Sequence, residues 1–132
     1  MPGPGRADTG AAGTIAVVSC PCGLDEPYDA CCGRFHAGKP APTAELLMRS
    51  RYTAFARGDT AYLLRTWHPA TRPRRLRLDP TQVWTGLEIH DRSGGGLFDA
   101  EGVVEFTAHH DRGSQHERSR FLREDGAWTY VD

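Results

Sequence analysis

Cys20-Pro21-Cys22-Gly23-Leu24-Asp25-Glu26-Pro27-Tyr28-Asp29-Ala30-Cys31-Cys32-Gly33 contains every cysteine of this 132-residue chain. The pattern is C-x-C, eight residues, then C-C. Thiolates are soft ligands, and four of them this close can meet at one point, where a tetrahedral zinc ion is the usual occupant. The eight-residue spacer is long enough to turn back and lay the second pair over the first. Gly23 and Gly33 follow the two pairs, and each can take positive φ where the backbone folds tightly. Four protein ligands leave no open coordination position, so the expected role of the metal at Cys20, Cys22, Cys31 and Cys32 is structural.

Two disulfides are the competing reading. Adjacent cysteines such as Cys31 and Cys32 bridge to each other only with strain, so a cross-pairing would be needed. Disulfides also belong to oxidising compartments. Val17-Val18-Ser19-Cys20 faintly resembles a lipoprotein cleavage site, but the only apolar run before it is Ile15 to Val18, too short for a signal-peptide core. The expected compartment is therefore the cytoplasm. No apolar run approaches the ~20 residues of a membrane helix, so no membrane partner is expected.

Working outward, residues 1–14 are rich in Pro, Gly and Ala without periodicity and read as a disordered tail. Residues 15–39 form the zinc-binding segment and 40–132 a folded domain. Thr43 is a suitable N-cap and Glu45 lies in the first turn of a helix running to about Arg57, with Gly58 as its stop. Leu47, Met48, Tyr52 and Phe55 share one face of it, and Arg51 lies on that face too. Asp59 caps a second helix, Thr60 to about Trp67, which His68-Pro69 ends. Strands follow over about 83–91, 103–110, 115–123 and 127–131. Val83, Leu87 and Ile89 share one face of the first; Val104, Phe106 and Ala108 share one face of the second; Glu117, Ser119 and Phe121 share one face of the third. Gly94-Gly95-Gly96 reads as a flexible connection, and Glu124-Asp125-Gly126 as a hairpin turn. Two helices before a four-strand meander predict an α+β fold: a curved antiparallel sheet with helices on its concave face.

The net charge of -1 argues against a strongly electrostatic nucleic-acid binder. The most basic run, Arg72-Pro73-Arg74-Arg75-Leu76-Arg77, has no aromatic residue within it, so it supports at most weak contact with phosphate and reads more simply as a solvated loop.

The cysteine pattern followed by Gly33 resembles the SEC-C motif, the zinc-binding tail of the SecA translocation motor. Pro40-Ala41-Pro42-Thr43-Ala44-Glu45, Met48-Arg49-Ser50-Arg51-Tyr52-Thr53-Ala54-Phe55 and Thr66-Trp67-His68-Pro69 resemble the YchJ-like family of bacterial proteins. Trp84-x-Gly86-Leu87, Val104-Glu105-Phe106 and His116-Glu117-Arg118-Ser119-Arg120-Phe121 fit the same family. The resemblance runs from Cys20 to nearly the end of the chain. It implies a SEC-C zinc motif ahead of a nuclear-transport-factor-2-like (cystatin-like) α+β domain. Some members carry a second such motif at the C-terminus; none precedes Asp132 here, so roles needing two zinc modules are not expected. The family has no settled activity, so the resemblance implies architecture more than function.

Walker loops, nucleotide fingerprints, nucleophile elbows and zinc-protease His-Glu pairs are all missing from the sequence. Arg51, Tyr52, His68 and Glu117 are the polar candidates for a pocket between sheet and helices, where they would suit anion binding or acid–base work. An Arg51–Glu117 ion pair is expected, because each residue shares a face with core residues. The simpler alternative makes these a purely structural ion pair and a helix-capping histidine. His109, His110 and His116 surround one turn, but His109 and His110 point to opposite faces of a strand, which disfavours a second metal site. His36 is a spare ligand expected beside, and not in, the thiolate cluster. Two function classes follow. One is a non-enzymatic module docking a protein or ribosomal partner, as SEC-C motifs resemble one another in doing. The other is a small-ligand-binding protein or enzyme using the pocket. An open cavity with His68 and an unpaired carboxylate favours the second, and a cavity filled by Trp67, Trp84 and Phe106 favours the first.

Overall fold

The computed structural model describes residues 18–132. The tail expected at 1–14 lies outside the described residues, as do the first three residues of the expected zinc segment. A 3-10 turn, Tyr28–Ala30, leads into the short helix α1, Cys32–His36. Helix α2, Ala44–Arg57, and helix α3, Thr60–Arg65, precede four strands: β1 Trp84–Gly94, β2 Glu101–His110, β3 Gly113–Glu124 and β4 Ala127–Tyr130. The strands form one antiparallel sheet in the order β1-β2-β3-β4.

The caps read from the sequence are in place. The Thr43 side chain accepts from the Leu46 N–H at 3.1 Å, and Gly58 ends α2 at φ 74°. Asp59 accepts from the Tyr62 N–H at 3.0 Å. These contacts satisfy amides that a helix start leaves without intrahelical partners. Helix α3 stops at Arg65, short of Trp67, because the next residues pair with the sheet edge. Tyr130 N–H donates to Thr66 O at 2.8 Å and His68 N–H donates to Tyr130 O at 2.7 Å.

The core lies between α2 and the inward side chains of the sheet, which include Val104, Phe106, Ala108, Phe121 and Trp128. Those of β2 and β3 alternate as expected. Strand β1 departs from the expected phase. Its pairing slips between Trp84 and Gly86, a β-bulge that puts one extra residue against β2. The slip turns Trp84 inward, beside Tyr52 and Phe55, and leaves Val83 outside, 58% exposed. A second slip follows Ile89.

The glycine run is a contact and not merely a flexible link. Gly95 has φ 76°, and a Cβ there would lie 2.8 Å from the Ala44 Cβ. Its carbonyl accepts from the Ala44 N–H at 3.0 Å, so the β1–β2 connection presses against the start of α2. The β3–β4 hairpin turns at Asp125, φ 53°, and Gly126, φ 79°, the paired positive values of a two-residue turn.

Candidate functional site

Helix α2 divides the candidate machinery. One side carries Arg49, Ser50, Thr53 and Arg57 towards the cysteine segment. The other carries Met48, Arg51, Tyr52 and Phe55 towards the sheet.

On the first side the four cysteines are free and buried, and their sulfur atoms all lie within 4.8 Å of one another. The Cys22 and Cys31 sulfurs are 3.6 Å apart. A tetrahedral ion with ~2.3 Å metal–sulfur bonds requires sulfurs roughly 3.8 Å apart, so this donor set fits such an ion. The local backbone prepares it. Cys20 N–H donates to Glu26 O at 2.7 Å, Gly23 N–H to Cys20 O at 3.2 Å, and Cys31 N–H to Tyr28 O at 2.9 Å. Thr53 donates its hydroxyl proton to the Cys32 sulfur at 3.3 Å and lies 3.7 Å from the Cys20 sulfur. Arg49 Nη1 donates to Cys22 O at 2.7 Å. Arg57 stacks its guanidinium 4.1 Å from the Tyr28 ring centre.

The thiols respond to one another. Hydrogen bonding from the Cys32 thiol, helped by the Leu24 amide and by Cys31 and Cys20, outweighs burial and lowers Cys22 to about 5. Burial, together with the bond given to Cys22, raises Cys31 to about 12. Cys32 is raised because it donates to Cys22 and is buried. A cation held by Cys20, Cys22, Cys31 and Cys32 would take the place of those shared protons.

His36 lies beside this cluster as a strut. Its Nε2 donates to Ser50 O at 2.8 Å, which leaves Nδ1 to accept from the Tyr28 hydroxyl at 2.7 Å.

On the second side a cavity of about 210 Å³ opens between α2 and the sheet. Met48, Arg51, Tyr52 and Phe55 line it from the helix, and Phe106, Ala108, Gln115 and Glu117 from the sheet. Trp67, Trp84 and Tyr130 form walls of the cavity and leave it open. Arg51 and Tyr52 are each 2% exposed.

Of the four expected pocket residues, Arg51, Tyr52 and Glu117 meet here and His68 does not. His68 Nε2 donates to Glu124 at 3.0 Å, and its Nδ1 accepts from the Ala70 N–H at 3.0 Å, both away from the cavity. The expected Arg51–Glu117 ion pair is also not formed. Arg51 Nη1 donates instead to Leu63 O and to the Thr66 hydroxyl, each at 2.7 Å. Its guanidinium carbon lies 4.5 Å from the Tyr130 ring centre and 5.2 Å from that of Trp67. The α3 carbonyl and the two ring faces draw the cation to the end of α3, away from the exposed rim where Glu117 sits. Burial lowers Arg51 to about 10, which still leaves it charged at neutral pH.

The three histidines around the β2–β3 turn go separate ways. His109 bonds Glu88 at 2.7 Å and His116 bonds Glu105 at 2.7 Å. His110 packs edge-on to Trp84. Sequence reading missed His90, which a β1 slip brings 2.7 Å from Thr107 and into a stack with His116. Arg72, Arg74, Arg75 and Arg77 are exposed, and none makes an ion pair among the described residues. No helix among the described residues is long and apolar enough to cross a membrane.

A family model for the YchJ middle NTF2-like domain matches residues 43–132. The chain belongs to the YchJ-like family. A UPF0225 protein of Streptomyces coelicolor is 63% identical over 114 residues, covering 86% of this chain and 92% of that protein. A UPF0225 protein of Chromobacterium violaceum is 53% identical over 125 residues, covering 88% and 92%. The solution structure of a SEC-C motif containing protein from Rhodopseudomonas palustris is similar to this chain with a TM-score of 0.74 at 32% identity, covering 87% of this chain and 96% of that one. The crystal structure of a SEC-C motif containing protein from Psychrobacter arcticus gives a TM-score of 0.70 at 29% identity, covering 86% and 80%. The expected family and its α+β architecture therefore both hold. In this YchJ-like chain the cysteine cluster and the NTF2-like domain share one helix, α2.

Proposed function

We propose that this YchJ-like protein binds a small molecule in the cavity between α2 and the sheet, while its cysteine cluster holds a structural zinc ion that braces the opposite side of α2. The open cavity carries this reading: its tryptophans and Phe106 form walls around about 210 Å³ of space. Small-ligand sites are concave and mostly apolar, with a few placed polar groups. Arg51 and Glu117 are such groups here. Four buried thiols at metal-binding spacing support the zinc.

Docking of a protein or ribosomal partner is supported by less. Leu97 and Phe98, 57% and 94% exposed on the β1–β2 connection, make an apolar spot. Two side chains are few against the ~800 Å² per partner of a stable interface.

The test is a cavity-filling substitution. Ala108 lines the cavity and is 5% exposed, so Ala108→Leu places three added carbons in open space. The melting temperature should hold or rise, a gain of about 1 kcal/mol or less. Chemical-shift changes at the Trp67 and Trp84 indoles, produced in the natural chain by a panel of one-ring aromatic compounds, should vanish. Unchanged shifts in Ala108→Leu would place binding elsewhere.

A further inference from the structure

We propose that the ligand is a monoanionic carboxylate on a flat apolar body, its carboxylate received by Arg51. This deepens the ligand-binding reading and rests on it. Arg51 is 2% exposed, yet no carboxylate pairs with it among the described residues. Its Nη1 is spent on Leu63 O and Thr66. Its Nε and Nη2 have three further N–H groups, and no acceptor among the described residues takes them. A buried cation without an anionic partner costs stability, and the geometry that offsets this cost is a planar two-oxygen acceptor meeting the guanidinium fork.

Trp67 walls the same cavity with its ring but adds no donor to it, because its partnerless Nε1 is sealed from the open space. The Tyr130 and Trp67 ring faces hold the guanidinium in place, so little side-chain freedom is lost when the anion arrives.

The rest of the ligand is set by the walls. Phe106, Phe55 and Trp84 present apolar surface. The volume exceeds the ~150 Å³ apolar cavity that accepts benzene, so one ring with a short acid arm fits. Glu117 limits the charge. It lies on the same strand face as Ser119, is exposed, and lines the cavity. A second negative group on the ligand would meet it, whereas a single carboxylate carried inward to Arg51 need not.

The experiment titrates the natural chain with phenylacetate, phenylacetamide and phenethylamine, following tryptophan fluorescence and indole shifts. These probes share a ring and differ in charge. The carboxylate should bind about tenfold or more tighter than the amide, the size of effect one charge-assisted contact supplies. Arg51→Met should abolish that preference and keep amide binding. Should Arg51→Met fail to fold, Glu117→Gln should raise the carboxylate-to-amide ratio a few-fold. Equal binding of acid and amide, tighter binding of the amine, or an unchanged ratio in Glu117→Gln would overturn the anion assignment and leave the cavity reading in place. Absence of binding by all three at millimolar concentration would overturn both.

Discussion

The two sides of α2 differ in how completely they are finished. On the cysteine side, Arg49, Ser50, Thr53 and Arg57 each meet a group of the segment before α2. Ser50 also bonds Leu47 O and receives the Tyr62 hydroxyl, each at 2.7 Å. On the cavity side, Arg51 has a charge without a counter-charge beside empty space. A helix packed for stability alone would fill that space, because voids forfeit contact energy and unpaired buried charge costs more. The contrast separates a side closed by its own contacts from a side that keeps open space beside a buried charge.

The strongest way to break the comparison is to remove the metal. About one zinc per chain is expected by elemental analysis of reduced protein, and Cys22→Ser should lower that occupancy sharply. Structural zinc contributes on the order of 10 kcal/mol in small modules, so residues 18–40 should lose amide protection on chelation. The sheet has its own core, so amides of β2 and β3 should stay protected. Loss of protection across β2, β3 and the cysteine segment together would make both sides of α2 one cooperative unit.

A smaller effect is expected at Arg51. A broken buried ion pair costs ~3–5 kcal/mol, but Arg51 and Glu117 do not form one. Arg51→Met removes a desolvated charge and takes one donor from Leu63 O and one from the Thr66 hydroxyl, two effects of opposite sign, while Thr66 keeps its bonds to Tyr62 O at 2.8 Å and Leu63 O at 3.4 Å. The net change in urea melts should stay within about 2 kcal/mol. A double-mutant cycle with Glu117→Gln should give coupling below ~0.5 kcal/mol. Strong coupling would bring the two charges together in solution and close the cavity side as the cysteine side is closed.

Legibility followed chemistry and periodicity. Four cysteines in thirteen residues announced their own cluster, and Thr43, Gly58 and Asp59 marked the helix ends. The cavity side of α2 was readable because Leu47, Met48, Tyr52 and Phe55 form an apolar stripe. The cysteine side was not. Arg49, Ser50, Thr53 and Arg57 are polar, and polar residues on a helix ordinarily face water. Only the presence of a metal-binding module without a helix of its own long enough to cover it hinted that a neighbour must do so. The Trp84 slip was invisible because a bulge inverts which residues face inward without changing the residues. His68 was misplaced because Tyr130 pairs with the segment after α3, a contact between distant parts of the chain.

The smallest expected effect joins the two sides. Glu45, in the first turn of α2, bonds Arg49 at 2.8 Å, and Arg49 in turn holds Cys22 O. Glu45 also pairs with Arg92 of β1. The carboxylate therefore ties the cysteine segment to the sheet across the start of α2. Burial alone would raise its pKa, but the hydrogen bonds and charges of Arg49 and Arg92 together lower it. A carboxyl with a folded pKa below its unfolded value contributes stability above the unfolded pKa, near 4.3, and loses it as pH falls through the folded value. Glu45→Gln should thus be less stable than the natural chain by about 0.5–1 kcal/mol at neutral pH. The gap should narrow as pH falls below ~4, and added salt should narrow it at any pH. Urea melts of both chains at neutral and acid pH measure it. A gap that widens on acidification would mean that Glu45 is carried as a neutral acid and that the bridge between the two sides of α2 lies elsewhere.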